Sequence, residues 1–526
     1  MISIGINLCV SGHINKPQND GKFQIMKLLL ITFLSFSLFT CFGQGKEYAD
    51  SLHNAYNSEM KIVSNTFSEI YYPNIPVIYS LNENLFIKKI DSLKQPFLSV
   101  SNKFHKVFQK NDKNFIPNEQ RDIEYFFDRM ILDYPYFHEI HAERKIQLSK
   151  SIQKKLDQHL KDFNNPGILS SRDCKGYVEA FLRHQSSVEV KKQIYKRSDN
   201  KRLDAYLNLI PKYFTNQDCK EFWQYHYLFA HLDDWGSKNV GEKVRSFVST
   251  CKNTSYTRTI DSMYTESANS YKGHLIKSYK TVDGFDLDLH IFLPDTAHQK
   301  TKRPVIVYFS GGSWTKGTPE WDFYNCANYA EKGWVGVSVE YRVSDRFETT
   351  PFEAVKDARS AIRWLRMNAD AYNIDTNRIV ASGNSAGGHL VLTTALANEM
   401  NESTDNLNFS ASPNLLLVNA GVYNLYADGS TDWITRDLKD KTVVKKISPQ
   451  QLLRKGLPPM LIIHGTNDRS VDYASAKVFT EEMKQLDNTF EFETLEGAPH
   501  HIWYDKRFSG KVANFRKDFL KKYGYE

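Results

Sequence analysis

A chain of 526 residues with 41% hydrophobic and 13% aromatic content is too long for one ordinary core and too apolar for a disordered polymer, so length predicts roughly two to four domains. The formal charge of +7 is spread along the chain, without a dense Lys/Arg block or an interleaved aromatic and basic stripe. That distribution excludes the usual signature of nucleic-acid binding and reads as solubility.

In chain order, the first feature is "MKLLLITFLSFSLFTCFGQ" from Met26, with a basic start, an apolar run from Leu28 to Phe39, and small residues at its end. This is the pattern of a secretory signal peptide, too short to span a bilayer. Residues 1–25 are polar and unpatterned and read as an extension ahead of a start at Met26; cleavage after Gly43 would leave Gln44 first. Residues 1–43 are therefore set apart as extension and leader, and the mature protein is expected in the periplasm or outside the cell. A rival reading makes Cys41 the lipid-modified residue of an outer-membrane lipoprotein, since Leu38 lies three residues before it, although Phe39 and Thr40 fit that signal poorly. Four cysteines follow: Cys174, Cys219, Cys251 and Cys326. Export permits one disulfide among the first three, and buried free thiols are the competing expectation.

Residues 44–270 carry helical periodicity, as in "LFIKKIDSLKQPFLSVSNKFHKVFQ" and "EQRDIEYFFDRMILDYPYFHEIH", where apolar residues recur at three and four. An all-α domain is predicted. Two segments, "SSRDCKGYVEAFLRH" at 170–184 and "NQDCKEFWQYHYLF" at 216–229, share D-C-K-x-aromatic behind a polar residue, and two copies are fewer than a repeat array needs. No metal-spaced His/Cys pair, phosphate loop or long heptad run is present. The stretches "HLDDWG" and "EFWQYHYLFAH" read either as a surface for a carbohydrate or protein partner or as core aromatics.

From about residue 271 the pattern changes to apolar runs separated by helical stretches: "FDLDLHIFLP", "RPVIVYFSGG", "WVGVSVEYR", "RIVASGNS", "NLLLVNAG", "PPMLIIHG" and "FEFETLEG". Continuous apolar strands alternating with helices predict an α/β fold, a mostly parallel sheet covered on both faces, over residues 271–526. "FDLDLHIFL" alternates instead, as an antiparallel edge strand would.

Ser385 stands in "GNSAGG" between such a strand and a helix, which is the arrangement of a nucleophile elbow; Gly383 and Gly387 leave room for strand and helix to approach. A serine hydroxyl needs a base and an orienting acid. Asp468 follows the strand two places after the elbow, and His500 follows the next strand, both at the carboxyl edge where open α/β sheets build sites. His501 and Asp472 compete with them; Asp472 is better placed to cap the following helix, and His464 and His389 read as structural. Backbone N–H groups at Gly311 and Gly312, after the "YFSGGSW" strand, and at Ala386 would form an oxyanion hole. Trp314, Trp321 and Trp433 read equally as substrate walls and as residues that pack the domain.

These motifs together resemble the α/β-hydrolase esterases of the hormone-sensitive-lipase-like branch, which includes bacterial acetyl and feruloyl esterases. The resemblance rests on Ser310-Gly311-Gly312-Ser313-Trp314, Tyr341-Arg342, "DARSAIRWLRMNADAYNIDTNRI", Gly383-Asn384-Ser385-Ala386-Gly387-Gly388, "PPMLIIHGTNDRSV" and "GAPHHIW", and covers a little under half of the chain. It implies an ester hydrolase that works through an acyl-enzyme, with Ser385 as nucleophile, Asp468 as acid, His500 as base, and no metal or organic cofactor. Three departures stand out: Ser310 where the family usually has histidine, Ser313 in place of a frequent third glycine, and Asn384 in place of a common acidic residue. Two alternatives carry different consequences, a prolyl-oligopeptidase-type serine peptidase and a non-catalytic scaffold acting through the helical domain. Acyl and alcohol specificity are not encoded in these motifs.

Overall fold

The structure is a computed structural model that describes residues 45–195, 198, 200–295, 301–426, 434 and 440–525. The leader with Cys41 lies outside the described residues, as do Trp433 and most of the 424–438 segment. The chain forms two compact units: one comprises the chain up to His159 together with Gly167–Ala180, and the other Leu160–Pro166 together with Phe181–Glu526.

The first unit is helical, built on α1 (Gly45–Tyr71), α2 (Glu83–Asn111) and α3 (Phe115–Ala142). Its apolar stripes are largely aromatic: Phe86 stacks on Tyr134 at 4.1 Å, and Phe67 meets Phe97 and Phe127 edge-on. Such rings bury large areas and favour offset or edge contacts.

Helices α4 (Arg172–Glu189), α5 (Lys201–Tyr213), α6 (Gln217–Trp235), α7 (Gly241–Thr250) and α8 (Thr254–Ser270) follow. The repeated D-C-K motif is an N-terminal capping signature. Ser171 Oγ accepts the Cys174 N–H, and Asn216 Oδ1 accepts the Cys219 N–H, each at 3.1 Å. Both satisfy a backbone donor that a helix start leaves free. All four described cysteines are free thiols, with Cys174, Cys219 and Cys326 buried.

The second unit is organised by an eight-stranded sheet: β1 (Leu275–Val282), β2 (Phe285–Phe292), β3 (Arg303–Phe309), β4 (Val335–Val339), β5 (Ile374–Asn384), β6 (Leu415–Asn419), β7 (Met460–Gly465) and β8 (Phe490–Leu495). Spatial order is β1-β2-β4-β3-β5-β6-β7-β8. From β4 onward neighbours pair in parallel, while β1 with β2 and β2 with β4 are antiparallel. The alternating "FDLDLHIF" is thus antiparallel as expected, but it is not the edge. "LIKSYKTV", largely exposed and rich in polar residues, takes that position.

Alternate side chains of each central strand enter opposite cores. Val305, Val307 and Phe309 face a layer containing α10 (Pro351–Met367), α11 (Ala386–Leu396) and α12 (Tyr473–Gln485). Ile306 and Tyr308 face α9 (Phe323–Glu331) and α13 (Ser509–Lys522). Both faces are covered, which is why β3, β4, β6 and β7 are buried throughout.

Candidate active site

β5 runs into α11 with only Ser385 between them. Ser385 has φ 54° and ψ −121°, a backbone conformation that non-glycine residues rarely adopt and that the surroundings must hold in place. The flanking glycines are demanded by contact. A methyl group on Gly387 would lie 2.0 Å from Phe309 O, and one on Gly383 would lie 2.4 Å from the Gly387 carbonyl. The elbow is pinned to β6, since Ser385 N–H donates to Asn419 O at 3.0 Å and Asn419 Nδ2 donates to Asn384 Oδ1 at 2.8 Å. Asn384, which replaces the family's common acid, is therefore a hydrogen-bond partner within the sheet end.

Gly311, in the loop after β3, lies against the serine: a methyl there would sit 3.1 Å from Asn384 O and 3.6 Å from Ser385 Cβ. The loop turns through three successive left-handed residues, Gly312, Ser313 and Trp314. Tyr341 Oη donates to Ser310 O at 2.7 Å and approaches Gly311 O at 3.2 Å, fixing the loop from behind. Ala386, fully buried, opens α11. Trp314 is 4% exposed and packs edge-on to His389 at 5.0 Å. Its indole belongs to the core cluster on the α10 and α11 face of the sheet, so as a candidate substrate wall it presents little open surface. Trp321 is likewise engaged, donating Nε1–H to Asp233 O at 3.1 Å.

The loops after β7 and β8 bring Asp468 and His500 together. Asp468 Oδ2 lies 2.7 Å from His500 Nδ1, and Asp468 Oδ1 accepts the N–H groups of Ser470 and Val471 at 2.8 and 2.9 Å. Gly497 N–H donates to Thr466 Oγ1 at 2.8 Å, and Asn467 N–H donates to Ala498 O at 3.0 Å, so the two loops form one unit. Burial pushes the Asp468 carboxyl upward, but hydrogen bonds from His464, His500 and Val471 and the charge of His500 hold it well below the usual carboxylate range. His501 is exposed, its ring 5.1 Å from that of His500. Asp472 caps α12 by accepting Ala474 N–H at 2.9 Å, as its position in the sequence suggested.

Sequence reasoning missed three features. His464 Nε2 lies 3.2 Å from Asp468 Oδ2, a spacing of four residues visible in "HGTND". Behind Tyr341, Arg342 forks onto Asp357 with Nε and Nη2 at 2.8 and 2.7 Å, while Lys280 reaches Asp357 and Glu402 at 2.6 and 2.7 Å; Asp357 opens the "DAR" of the quoted helix motif. The third is a seam within the second unit. Gly317 N–H donates to Asp234 O at 3.1 Å, Lys316 pairs with Asp234 at 2.6 Å, and Glu320 accepts from Ser237 N–H at 3.1 Å and from Ser267 Oγ. "HLDDWG" is thus spent on bracing the chain that follows Gly311. "EFWQYHYLFAH" is split: Glu221, Trp223, Leu228 and His231 are buried, Tyr225 stacks on Tyr256 at 4.3 Å, and Phe229 is exposed.

A mostly parallel sheet, a strained serine between strand and helix, and an acid–histidine pair on later loops of the same unit define an α/β-hydrolase domain. The BD-FAE family model matches residues 289–483, which lie within this α/β-hydrolase domain. Esterase LipC of Mycobacterium tuberculosis is 29% identical over 214 residues, 38% of this chain and 52% of that protein. The isoprenylcysteine alpha-carbonyl methylesterase ICME of Arabidopsis thaliana is 25% identical over 230 residues, 40% of this chain and 53% of that protein. The chain thus spans about half the length of the curated relatives it matches. Among solved structures, the propionate-bound esterase Est2 of Thermogutta terrifontis is 33% identical, covering 48% of this chain and 96% of that one with a TM-score of 0.46. Among the described residues no helix is long and apolar enough to cross a membrane.

Proposed function

We propose that the protein is a secreted serine carboxylic-ester hydrolase in which Ser385, His500 and Asp468 form the catalytic set. The observation that carries this reading is the conjunction of the Ser385 elbow, packed against Gly311, with a buried Asp468 that fixes His500 Nδ1 at 2.7 Å. With Nδ1 engaged, His500 Nε2 is the nitrogen left to take a proton.

In this mechanism Ser385 Oγ attacks the ester carbonyl as its proton passes to His500 Nε2. The carbonyl oxygen, now negative, is received by the N–H groups of the Gly311–Gly312 loop and of Ala386. The imidazolium, stabilised by Asp468, returns the proton to the leaving alcohol, and the acyl group stays on Ser385. Water repeats the sequence in reverse order and releases the acid. Short acyl esters and acetyl or feruloyl esters of carbohydrates are the substrate class that the family relationship favours.

The test is a panel of acetylated, feruloylated and short-chain esters, with X-Pro amides as the peptidase comparison, run on wild type and Ser385→Ala. Hydrolysis of esters and fluorophosphonate labelling, both lost in Ser385→Ala, support the reading. Full ester hydrolysis by Ser385→Ala, or preferential cleavage of X-Pro amides, overturns it. Secretion is tested by locating the mature N-terminus after expression with the leader.

A further inference from the structure

Asp468 is held by two histidines. His464 is the penultimate residue of β7 and its side chain is fully buried. Its Nε2 faces two acceptors, Val471 O at 3.1 Å and Asp468 Oδ2 at 3.2 Å, so that nitrogen carries the proton. Nδ1 is then the bare acceptor, and Tyr423 Oη, itself fully buried, donates to it at 3.4 Å. A continuous array runs from Tyr423 through His464 and Asp468 to His500. Among the described residues the titratable groups facing it are Tyr423 from the loop after β6, Tyr473 from α12, whose ring lies 6.1 Å from that of His464, and His501 beside His500.

We infer that His464 is a positioning residue for the reaction, acting through Asp468; this rests on the proposed role of Asp468 and His500. Oδ2 receives both imidazole donors, while Oδ1 is committed to the Ser470 and Val471 N–H groups. Four donors on one buried carboxylate leave it a single orientation, and the His464 hydrogen bond draws charge from the same oxygen that binds His500. Two consequences follow. Without the His464 donor the carboxylate is less fixed, so turnover falls while substrate binding, which His464 does not touch, is kept. Oδ2 also becomes a stronger acceptor toward His500, which stabilises the imidazolium and moves the acidic limb of activity to higher pH.

The experiment compares wild type, His464→Leu, His464→Gln and Tyr423→Phe for pH profiles of kcat and kcat/KM on a p-nitrophenyl ester, with melting temperatures for each. His464→Leu is expected to lose about tenfold or more in kcat, with KM within about twofold and the acidic limb raised by about half a pH unit. His464→Gln, which keeps an N–H donor at similar reach, is expected to recover most of the rate and the wild-type limb, and Tyr423→Phe to give a smaller shift in the same direction. If His464→Leu does not accumulate folded, the Gln and Phe variants still decide the matter. An unmoved limb with kcat reduced no more than the fraction unfolded overturns the inference and makes His464 a core residue only. Hydrolysis that survives Ser385→Ala overturns the underlying assignment instead, and the two failures are separable because they read different variants.

Discussion

His500 Nδ1 lies 2.7 Å from an Asp468 carboxylate whose side chain is closed to solvent, and that carboxylate is held below its ordinary range. The sign of this shift matters. Asp468 stays ionised at every pH above the unfolded value of about 3.9, and its contribution to stability is lost only as pH falls below that value. Asp468 should therefore add no step of its own to the acidic limb of kcat/KM above that value. Asp468→Asn is expected to lower kcat by about 10,000-fold while leaving the fold intact, checked by steady-state kinetics alongside circular dichroism.

The elbow should reject a methyl group. Gly387→Ala places a carbon 2.0 Å from Phe309 O, where backbone rather than a movable side chain stands in the way. A loss of about 3 kcal/mol, or failure to accumulate in soluble form, is expected. Gly510→Ala, at a position with open space around it, serves as the comparison and should be neutral within about 0.5 kcal/mol. Urea denaturation of the pair measures both.

Three buried histidines predict acid sensitivity. Burial pushes His231 and His290 down to about 3 and His389 down to about 4. His389 donates Nε2–H to Ile447 O at 2.7 Å, which suits the neutral ring. Unfolding frees each to take a proton below about 6.5, so stability is complete above that pH and falls as pH drops toward the folded values. The decline should reach up to about 1.4 kcal/mol per pH unit for each histidine. Urea midpoints between about pH 8 and pH 5 should fall below about 6.5, less steeply in His389→Gln; a flat midpoint would contradict this.

The buried ionic cluster should be intolerant of one-sided loss. Asp357, with no exposed side-chain surface, faces both Lys280 and Arg342. Asp357→Ala leaves Lys280 and Arg342 to share Glu402 alone, an uncompensated buried charge that should cost about 3–5 kcal/mol. Because Tyr341, next to Arg342, holds the Ser310 and Gly311 carbonyls, activity should fall further than the fraction unfolded explains. Parallel denaturation and kinetic measurements separate the two effects.

The periodicities of the sequence carried the sheet and the helical first half, because strand and helix burial leave different spacings of apolar residues. β1 escaped notice because an exposed edge strand needs no apolar pattern. Ser385, Asp468 and His500 were nameable since each follows a strand in a fixed order. What stayed hidden were partners set by tertiary distance: Lys280 with Asp357, 77 residues apart, and Lys316 with Asp234, 82 apart. His464 was visible but was read as filler, since nothing in "HGTND" says which atom a strand-end imidazole faces. For Trp314 the residue types left wall and packing equally open, because they do not say how much of an indole a left-handed loop buries.

The seam between α6 and the chain after Gly311 changes where a working fragment can be cut. A gene trimmed at residue 271, where strands begin, would keep every residue named in the mechanism, yet it would strip Lys316, Glu320 and Trp321 of Asp233, Asp234, Ser237 and Ser267. The stretch that follows Gly311 and Gly312 would lose the hydrogen-bond partners that brace it. Part of what composition marks as a separate helical domain is, by its hydrogen bonds, upholstery of the hydrolase itself.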